Sequence, residues 1–552
     1  MKQYGLQNLF NGWTIFTVIT ALIIASPVFI VVSYVFVPTG EIWSHLADTV
    51  LGNYIYNSVL LLIGVGTGTL VVGTGCAWIV TMCRFPGQKV FEWALLLPLA
   101  VPAYVIAYTY TGLTDFAGPI QTVLREIFGW TSRRDYWFPE IRSVWGAMTM
   151  FTLVLYPYVY MLSRAAFLEQ SICVLEVSRT LGRTPWQAFK DVAFPLARPA
   201  IAAGSALALM ETLNDFGTVH FFAVDTFTTG IYRTWFGMGE PAAAAQLGAC
   251  LLIFIVSLIA LERYSRGKAA YHHTTVRYRA LSKLEMSLPK QVICILVCFF
   301  PVLLGFLLPA GILLNWAFQT TEWWMNLQFV EFAFNSFILA CVAALLAVFL
   351  AVLMAYGARL RPSIFTKFGV RAASIGYAVP GSVLAVGIML PFAWTDNLVD
   401  SWAREHLGFS TGLLLSGTIV AVVFAYIVRF LSVSFNGIEA GLGKITQNMD
   451  CASRTLGHNP SETLKKVHLP LIRASMFSAG ILVFVDVIKE LPATMIMRPF
   501  NFTTLAVRTF ELASDEQLAE ASSAALAMVL VGIIPVIMIS RTIAKSRPGQ
   551  EN

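Results

Sequence analysis

Ser178-Arg179-Thr180-Leu181-Gly182 recurs without change as Ser453-Arg454-Thr455-Leu456-Gly457, a shift of 275 residues in a chain of 552. The match continues beyond the five letters. Pro195-Leu196 returns as Pro470-Leu471, Arg198 as Arg473, Phe227-Thr228-Thr229 as Phe502-Thr503-Thr504, and Arg233-Thr234 as Arg508-Thr509. No gap is needed from Ser178 to Thr234. Upstream the likeness is weaker: Asn57-Ser58 resembles Asn335-Ser336, and Pro102 resembles Pro380, both at a shift of 278. The chain therefore reads as two tandem copies of one unit, with substrate paths in such duplicated membrane proteins often lying between the halves.

Composition sets the class. Apolar residues make up 57% of the chain and charged residues 12%, against about 25% charged in an ordinary soluble domain. Runs of about 20 uncharged apolar residues are membrane-helix candidates. Ten stand out: 13–37, 54–83, 93–114, 143–163, 241–261, 291–321, 332–358, 372–395, 407–428 and 521–540. Two more, 199–222 and 474–497, are interrupted by charge. The expectation is an all-α polytopic protein of about twelve spans, six per half. Because six is even, corresponding helices run the same way, and the halves are related by a pseudo-two-fold axis along the membrane normal.

Lys and Arg placement gives the orientation. With the N-terminus inside, 27 of the 37 basic residues fall in cytoplasmic segments and 7 in outer loops. Both termini and both repeated loops are then cytoplasmic. The net charge of +6 follows from topology, and no basic-aromatic groove pattern points to nucleic acid. The first span is too long and apolar for a cleaved signal peptide and is read as a retained helix. The eight cysteines are scattered with no disulfide framework or zinc spacing; Cys294 and Cys298 share a helix face and read as small packing residues. Residues 1–266 form the first half, 267–289 a polar cytoplasmic linker, and 290–552 the second half. His272-His273 in the linker reads as solvated rather than metal-binding.

The repeated loops, 176–198 and 451–473, encode the same object twice. Thr184-Pro185-Trp186-Gln187 and Asn459-Pro460-Ser461-Glu462 each place a good N-cap, a proline at the first helical position, and Gln or Glu three residues after the cap. Phe189 with Val192, and Leu464 with Val467, come next at i, i+3 spacing. Pro195 and Pro470 are expected to end each short helix. A short capped helix with exposed apolar residues suits partner docking better than simple connection.

Glu176-x5-Gly182-x12-Pro195-Leu196 resembles the EAA loop of permease subunits in ATP-binding-cassette importers. The second copy departs from the pattern by placing Cys451 where that family usually has Glu, with Asp450 next door. The resemblance implies the type I ABC importer permease fold. It also implies that each loop holds a coupling helix seated on a separate ATPase subunit. The coupling residues carried over are Glu176, Gly182, Pro185, Phe189 and Pro195, with Gly457, Pro460, Leu464 and Pro470 in the second copy. The strings Asn214-Asp215-Phe216-Gly217-Thr218-Val219, Val224 to Arg233, and Lys489-Glu490-Leu491-Pro492-Ala493-Thr494 followed by Arg498 to Phe502 resemble fused permeases for ferric iron. The resemblance implies a bacterial inner-membrane subunit served by two ABC ATPase copies, which carry ATP and Mg, and by a periplasmic or surface solute-binding protein. Other solutes of the same importer class (thiamine, phosphonate, oxyanion) stay open, as do a stand-alone secondary transporter and a membrane scaffold.

No G-x-x-x-x-G-K-[ST] occurs in the sequence, so no P-loop ATPase site is expected here. Gly64, Gly66 and Gly68 lie in an apolar span; Gly64 and Gly68 read as close helix packing. No nucleophile–base set is evident, so no catalytic residue and no metal site is assigned, and no cofactor is expected on the chain. Charges inside spans are costly and tend to mark function. Glu211 and Asp215 are i, i+4 in one half, and Asp486 and Glu490 take the matching positions in the other, with Lys489 beside them. They either line a cation path or serve structure, with Lys489 paired to a carboxylate and the others bound to helix termini. The structural reading is favoured, since a strong ligand set would trap a trivalent ion where conduction needs weak binding. His220 is read as structural.

Overall fold

Lipid cannot satisfy backbone polar groups, so long apolar runs fold as helices that satisfy their own. The computed structural model describes residues 12–169, 184–266, 284–320, 326–360, 362–373 and 376–545. Among these, eleven helices are long and apolar enough to cross a membrane, or twelve if one bent pair counts as a single span. The only strands among the described residues are two-residue segments, Cys83–Arg84 and Leu284–Glu285, paired in parallel.

Five expected spans are corrected, one of them, 407–428, by displacement to Ile419–Gly443. Residues 93–114 are not one helix: the stretch 88–100 meets Ala103–Phe128 at a bend of 90°, because Pro102 adopts an extended ψ of 142° and starts a new helix at Ala103. Its repeat partner Pro380 does the same, with ψ 143° ahead of Gly381–Leu407. The expected span 372–395 is therefore replaced by Ile364–Ala373 and Gly381–Leu407. The two charged spans also break. Phe194–Asn214 stops before Asp215, with a short helix Gly217–Phe221 beyond. Leu469–Ile488 stops before Lys489, with Pro492–Met497 beyond.

Contacts divide the chain into two units that do not coincide with the sequence halves. One unit holds residues 1–45, 230–250 and 326–508, and the other holds 46–229, 251–325 and 509–552. In the first, Gly12–Ser33 packs on second-half helices Leu327–Leu360, Ile364–Ala373 and Gly381–Leu407. Gln246 ties the start of Pro241–Arg266 to the same unit, donating to the Tyr34 and Val37 carbonyls at 3.2 and 2.8 Å. In the second unit, the second half's first span, Leu288–Gln319, and its last helix, Leu518–Lys545, pack with first-half helices. Each half thus keeps its middle helices and exchanges its first span.

Within the second unit, Gly52–Met82 and Val144–Glu169 pack closely. A Cβ at Gly64 would meet Met148 Cγ at 2.9 Å, and one at Gly68 would meet Thr152 Oγ1 at 2.6 Å. This is the close approach expected of those glycines. Cys294 and Cys298 are buried in the same unit's core beside Cys76 and Cys83.

Candidate functional site

The second repeated loop, 451–473, a candidate coupling segment, is fully described. Gln447–Thr455 is a helix that ends at Leu456, and Gly457 follows at φ +85°. Its N–H donates to the Arg454 carbonyl at 3.0 Å, and the His458 N–H to the Ser453 carbonyl at 3.1 Å, which closes the helix end. Asn459 then opens Pro460–Thr463. Its side chain accepts from the Glu462 N–H at 2.8 Å, and Glu462 Oε2 accepts from the Asn459 N–H at 2.9 Å. The two helices are tied by a 2.8 Å hydrogen bond between the buried Ser453 and Thr463 hydroxyls.

In the first copy Glu176 and Gly182 lie outside the described residues. The cap is present: Thr184 Oγ1 accepts from the Gln187 N–H at 3.3 Å, and Gln187 Oε1 accepts from the Thr184 N–H at 3.0 Å. Pro185–Ala188 forms the first helical turn. Two sequences that share only the proline build the same reciprocal cap.

The expected proline stop is corrected. After each short helix comes one π-helical turn, Phe189–Ala193 and Leu464–His468, and the backbone continues into Phe194–Asn214 and Leu469–Ile488. The Phe194 N–H donates to the Phe189 carbonyl and the Leu469 N–H to the Leu464 carbonyl, both i→i+5. Pro195 and Pro470 therefore sit just inside the following helix, where a missing N–H is tolerated. The wide turn carries the chain past each proline.

The expected exposed apolar face is also corrected. Leu464 is buried. Phe189 is half-buried in an aromatic cluster, with ring centroids 4.9 Å from Trp78, 5.8 Å from Phe194 and 5.3 Å from Trp186. Among the described residues the most exposed apolar side chains are Trp186 in the first copy and Leu456 in the second, at 68% and 77% exposure.

Different chemistry holds the two segments to matched helices. Trp78 and Tyr356 correspond at the 278 shift. Trp78 packs on Phe189. Tyr356 donates to the Pro460 carbonyl at 2.7 Å and meets the His468 ring edge-on at 5.2 Å. Three residues from Tyr356, Arg359 donates from Nε and Nη2 to Asp450 Oδ2 at 3.1 and 2.9 Å. It also donates to the Leu442 and Ile445 carbonyls at 2.5 and 2.7 Å. Asp450 Oδ1 lies 2.6 Å from His468 Nε2. The letters alone show only an acid beside Cys451, with no sign of this network.

The intramembrane charges cluster at the helix breaks. Asp215 Oδ1 accepts from the Thr218 and Val219 N–H groups at 2.8 and 3.3 Å, and Oδ2 from the Thr218 hydroxyl at 3.1 Å. Glu490 does the same in the other half, accepting from the Ala493 and Thr494 N–H groups at 2.9 and 3.0 Å and from the Thr494 hydroxyl at 2.5 Å. Glu490 has a further partner, Arg429 Nη1 at 2.9 Å, with side chains 7% and 1% exposed. Both 278 and 275 residues upstream of Arg429 the chain has an apolar side chain, Phe151 or Val154. Lys489 Nζ lies 3.9 Å from Asp486 Oδ1, and Asn214 Nδ2 lies 3.5 Å from Glu211 Oε2. The His220 ring packs against Phe216 and Phe510, with centroids at 5.0 and 5.5 Å. Among the described residues no group of three or more His, Cys, Asp or Glu could hold a metal ion.

Beyond these breaks the ungapped letter match does not describe the structure. The Asn57 side chain donates to the Asp225 carbonyl at 2.8 Å and that of Asn335 to the Thr503 carbonyl at 3.3 Å, a shift of 278 at both ends. The next helices start at Phe227 and Leu505, again 278 apart. The second half accommodates three extra residues between Glu490 and Thr504, so Phe502-Thr503-Thr504 sits one helical turn out of step with its letter match.

Residues 69–269 match the family described as the binding-protein-dependent transport system inner membrane component. An Fe(3+)-transport system permease protein of Haemophilus influenzae is 28% identical over 492 residues, covering 88% of this chain and 89% of that protein. A ferric transport system permease protein of Actinobacillus pleuropneumoniae is 24% identical over 463 residues, 80% of this chain and 64% of that one.

Residues 69–269 carry a binding-protein-dependent permease domain.

The molybdenum transport system permease protein of Escherichia coli is 26% identical over 213 residues, 36% of this permease and 89% of that protein. A half-length relative fits a permease built from two copies of one unit. As an ABC importer permease, the chain is a multi-pass transport subunit. Among the residues that the letters alone do not single out, Arg429 carries the one readable signal, since a charge at the edge of an apolar run invites a search for its partner. Tyr356, Arg359 and His468 carry none, being ordinary at a span end or in a polar loop.

Proposed function

We propose that this permease forms the translocation pathway for ferric iron, delivered by a periplasmic binding protein and driven by two separate ATPase subunits. The ATPases, which carry ATP and Mg, would seat on the two capped segments around Trp186 and Leu456. The observation that carries the iron reading is coverage. Two ferric-transport relatives align with both halves over 80% or more of the chain, where the half-length molybdenum relative matches one unit. The duplicated capping boxes support the coupling reading, because a helix start preserved through different residues is a shape held for a purpose. Asp215 and Glu490 are committed to helix ends, and weak binding along a path suits conduction.

The test is reconstitution in proteoliposomes with a candidate ABC ATPase and a candidate binding protein from the same organism. The expected result is ATP-dependent accumulation of radiolabelled ferric iron that requires all three components. Accumulation of molybdate, sulfate or a phosphonate in place of iron would overturn the substrate. Transport by the permease alone would overturn the coupling.

A further inference from the structure

Pro119–Phe128 is a ten-residue helix at the far end of the bent pair, between the helix ending at Thr114 and the span that starts at Val144. Its ends are built to stop there. Pro119 takes the first helical position after Gly118, and Gly129 closes the helix at φ +70°. Val144–Glu169 leads from this loop toward the first coupling segment, so the two lie at opposite ends of that span.

The helix has three distinct sides. One is bonded to the protein. Gln121 donates to the Thr114 carbonyl at 2.7 Å and accepts from the Tyr136 hydroxyl at 2.6 Å. Arg125 donates to the Phe116 carbonyl at 2.7 Å and lies 4.1 Å over the Phe116 ring. A second side presents Thr122 and the exposed Glu126. The third is apolar and open: Ile120, Val123 and Ile127, at 36%, 50% and 68% exposure. Positions 120, 123 and 127 fall on one stripe at 3.6 residues per turn.

We propose that this apolar side lies in the bilayer interface on the face opposite the first coupling segment, at the boundary of headgroups and acyl chains. Trp145, in the first turn of Val144–Glu169 and 69% exposed, marks that level, since tryptophans favour the ends of membrane spans. The stripe continues the apolar belt of the adjoining spans, and the bonded side fixes its direction. The helix thereby anchors the polar loop after it. Phe128, Trp130 and Tyr136 stack in sequence with centroids at 4.7 and 4.6 Å, and Asp135 accepts from the Thr131 and Ser132 N–H groups at 2.9 and 2.8 Å. Those bonds hold the Asp135 carboxyl below its usual range. Around this loop lies a cleft of about 510 Å³ edged by Arg133, Trp137, Glu140 and Arg142.

The test is spin labelling of single-cysteine variants at Thr122, Val123, Glu126 and Ile127, in full-length permease whose eight native cysteines are replaced by Ala or Ser. The protein is placed in nanodiscs of phosphatidylethanolamine and phosphatidylglycerol, with the unlabelled parent as blank. Labels at 123 and 127 are expected to collide with oxygen severalfold more than with a nickel chelate, and labels at 122 and 126 the reverse. Water-like accessibility at all four positions would overturn the proposal. So would labels at 123 and 127 that are water-accessible in nanodiscs and become shielded only when the binding protein is added, which would make the stripe a protein-docking face.

Discussion

Arg359 holds Asp450 through two donors at 2.9 and 3.1 Å, and so clamps the helix that leads into the second coupling segment to the end of Leu327–Leu360. The clamp is partly shielded, with side chains 19% and 18% exposed, so it is worth more than an open surface pair. Asp450→Ala leaves a guanidinium with backbone carbonyls alone and frees His468. A loss of about 2 kcal/mol is expected. Thermal unfolding in detergent should show it. Uptake in proteoliposomes should fall further than stability does, with ATP hydrolysis continuing uncoupled. Unchanged uptake in a destabilised variant would show that the clamp serves folding alone.

The Arg429–Glu490 pair makes a different demand. Both side chains are nearly fully buried. Glu490 also caps Pro492–Met497, and a Cβ on Gly381 would strike both partners at 2.7 Å. Glu490→Ala strands a buried cation, an error that costs about 3–5 kcal/mol. The double variant Arg429→Met, Glu490→Gln removes the charge while keeping volume and a cap, and is expected to recover most of that loss. A double-mutant cycle on thermal stability checks this. Additive losses would mean that the two residues do not act as a pair.

Much of the coupling segment is legible in the letters, and the failures elsewhere have definite physical causes. Asn459, Pro460 and Glu462 specify their helix start through bonds spanning three residues, so local sequence suffices. Pro195 and Pro470 mislead, because the rule that proline ends a helix assumes i→i+4 bonding and a π-turn evades it. Pro102 marks the repeat without revealing the bend, since flanking apolar residues read as one run whichever way the chain turns. The exchange of first spans between the halves is a choice among equally apolar surfaces and leaves no periodic trace. The network of Tyr356, Arg359, Asp450 and His468 joins residues about a hundred positions apart, none unusual where it stands.

Gly457 separates backbone strain from crowding. It adopts φ +85°, and a Cβ there would have nothing within 4 Å. Replacement therefore costs only the left-handed conformation, about 1 kcal/mol for most residues, less for Asn and more for a β-branched side chain. Uptake is expected to fall in the order Gly, Asn, Ala, Val, with membrane insertion unchanged. An order that tracks side-chain volume instead, with Asn worse than Ala, would place a partner surface against this position.

Trp186 and Phe189 divide docking from packing within a single turn. Phe189 lies among Trp78, Phe167 and Phe194, with the farthest ring centroid 6.4 Å away. Phe189→Ala should cost about 3 kcal/mol through the lost aromatic burial. Trp186 is 68% exposed, stacked on Phe189 through one face. Trp186→Ala should change the unfolding temperature little, yet weaken co-purification of the ATPase, since an exposed aromatic is the kind of anchor that dominates a docking interface. Measuring both variants side by side separates the roles. If Trp186→Ala retains full ATPase binding and transport while Phe189→Ala loses both with its stability, the first segment is a packed elbow and the motor seats elsewhere.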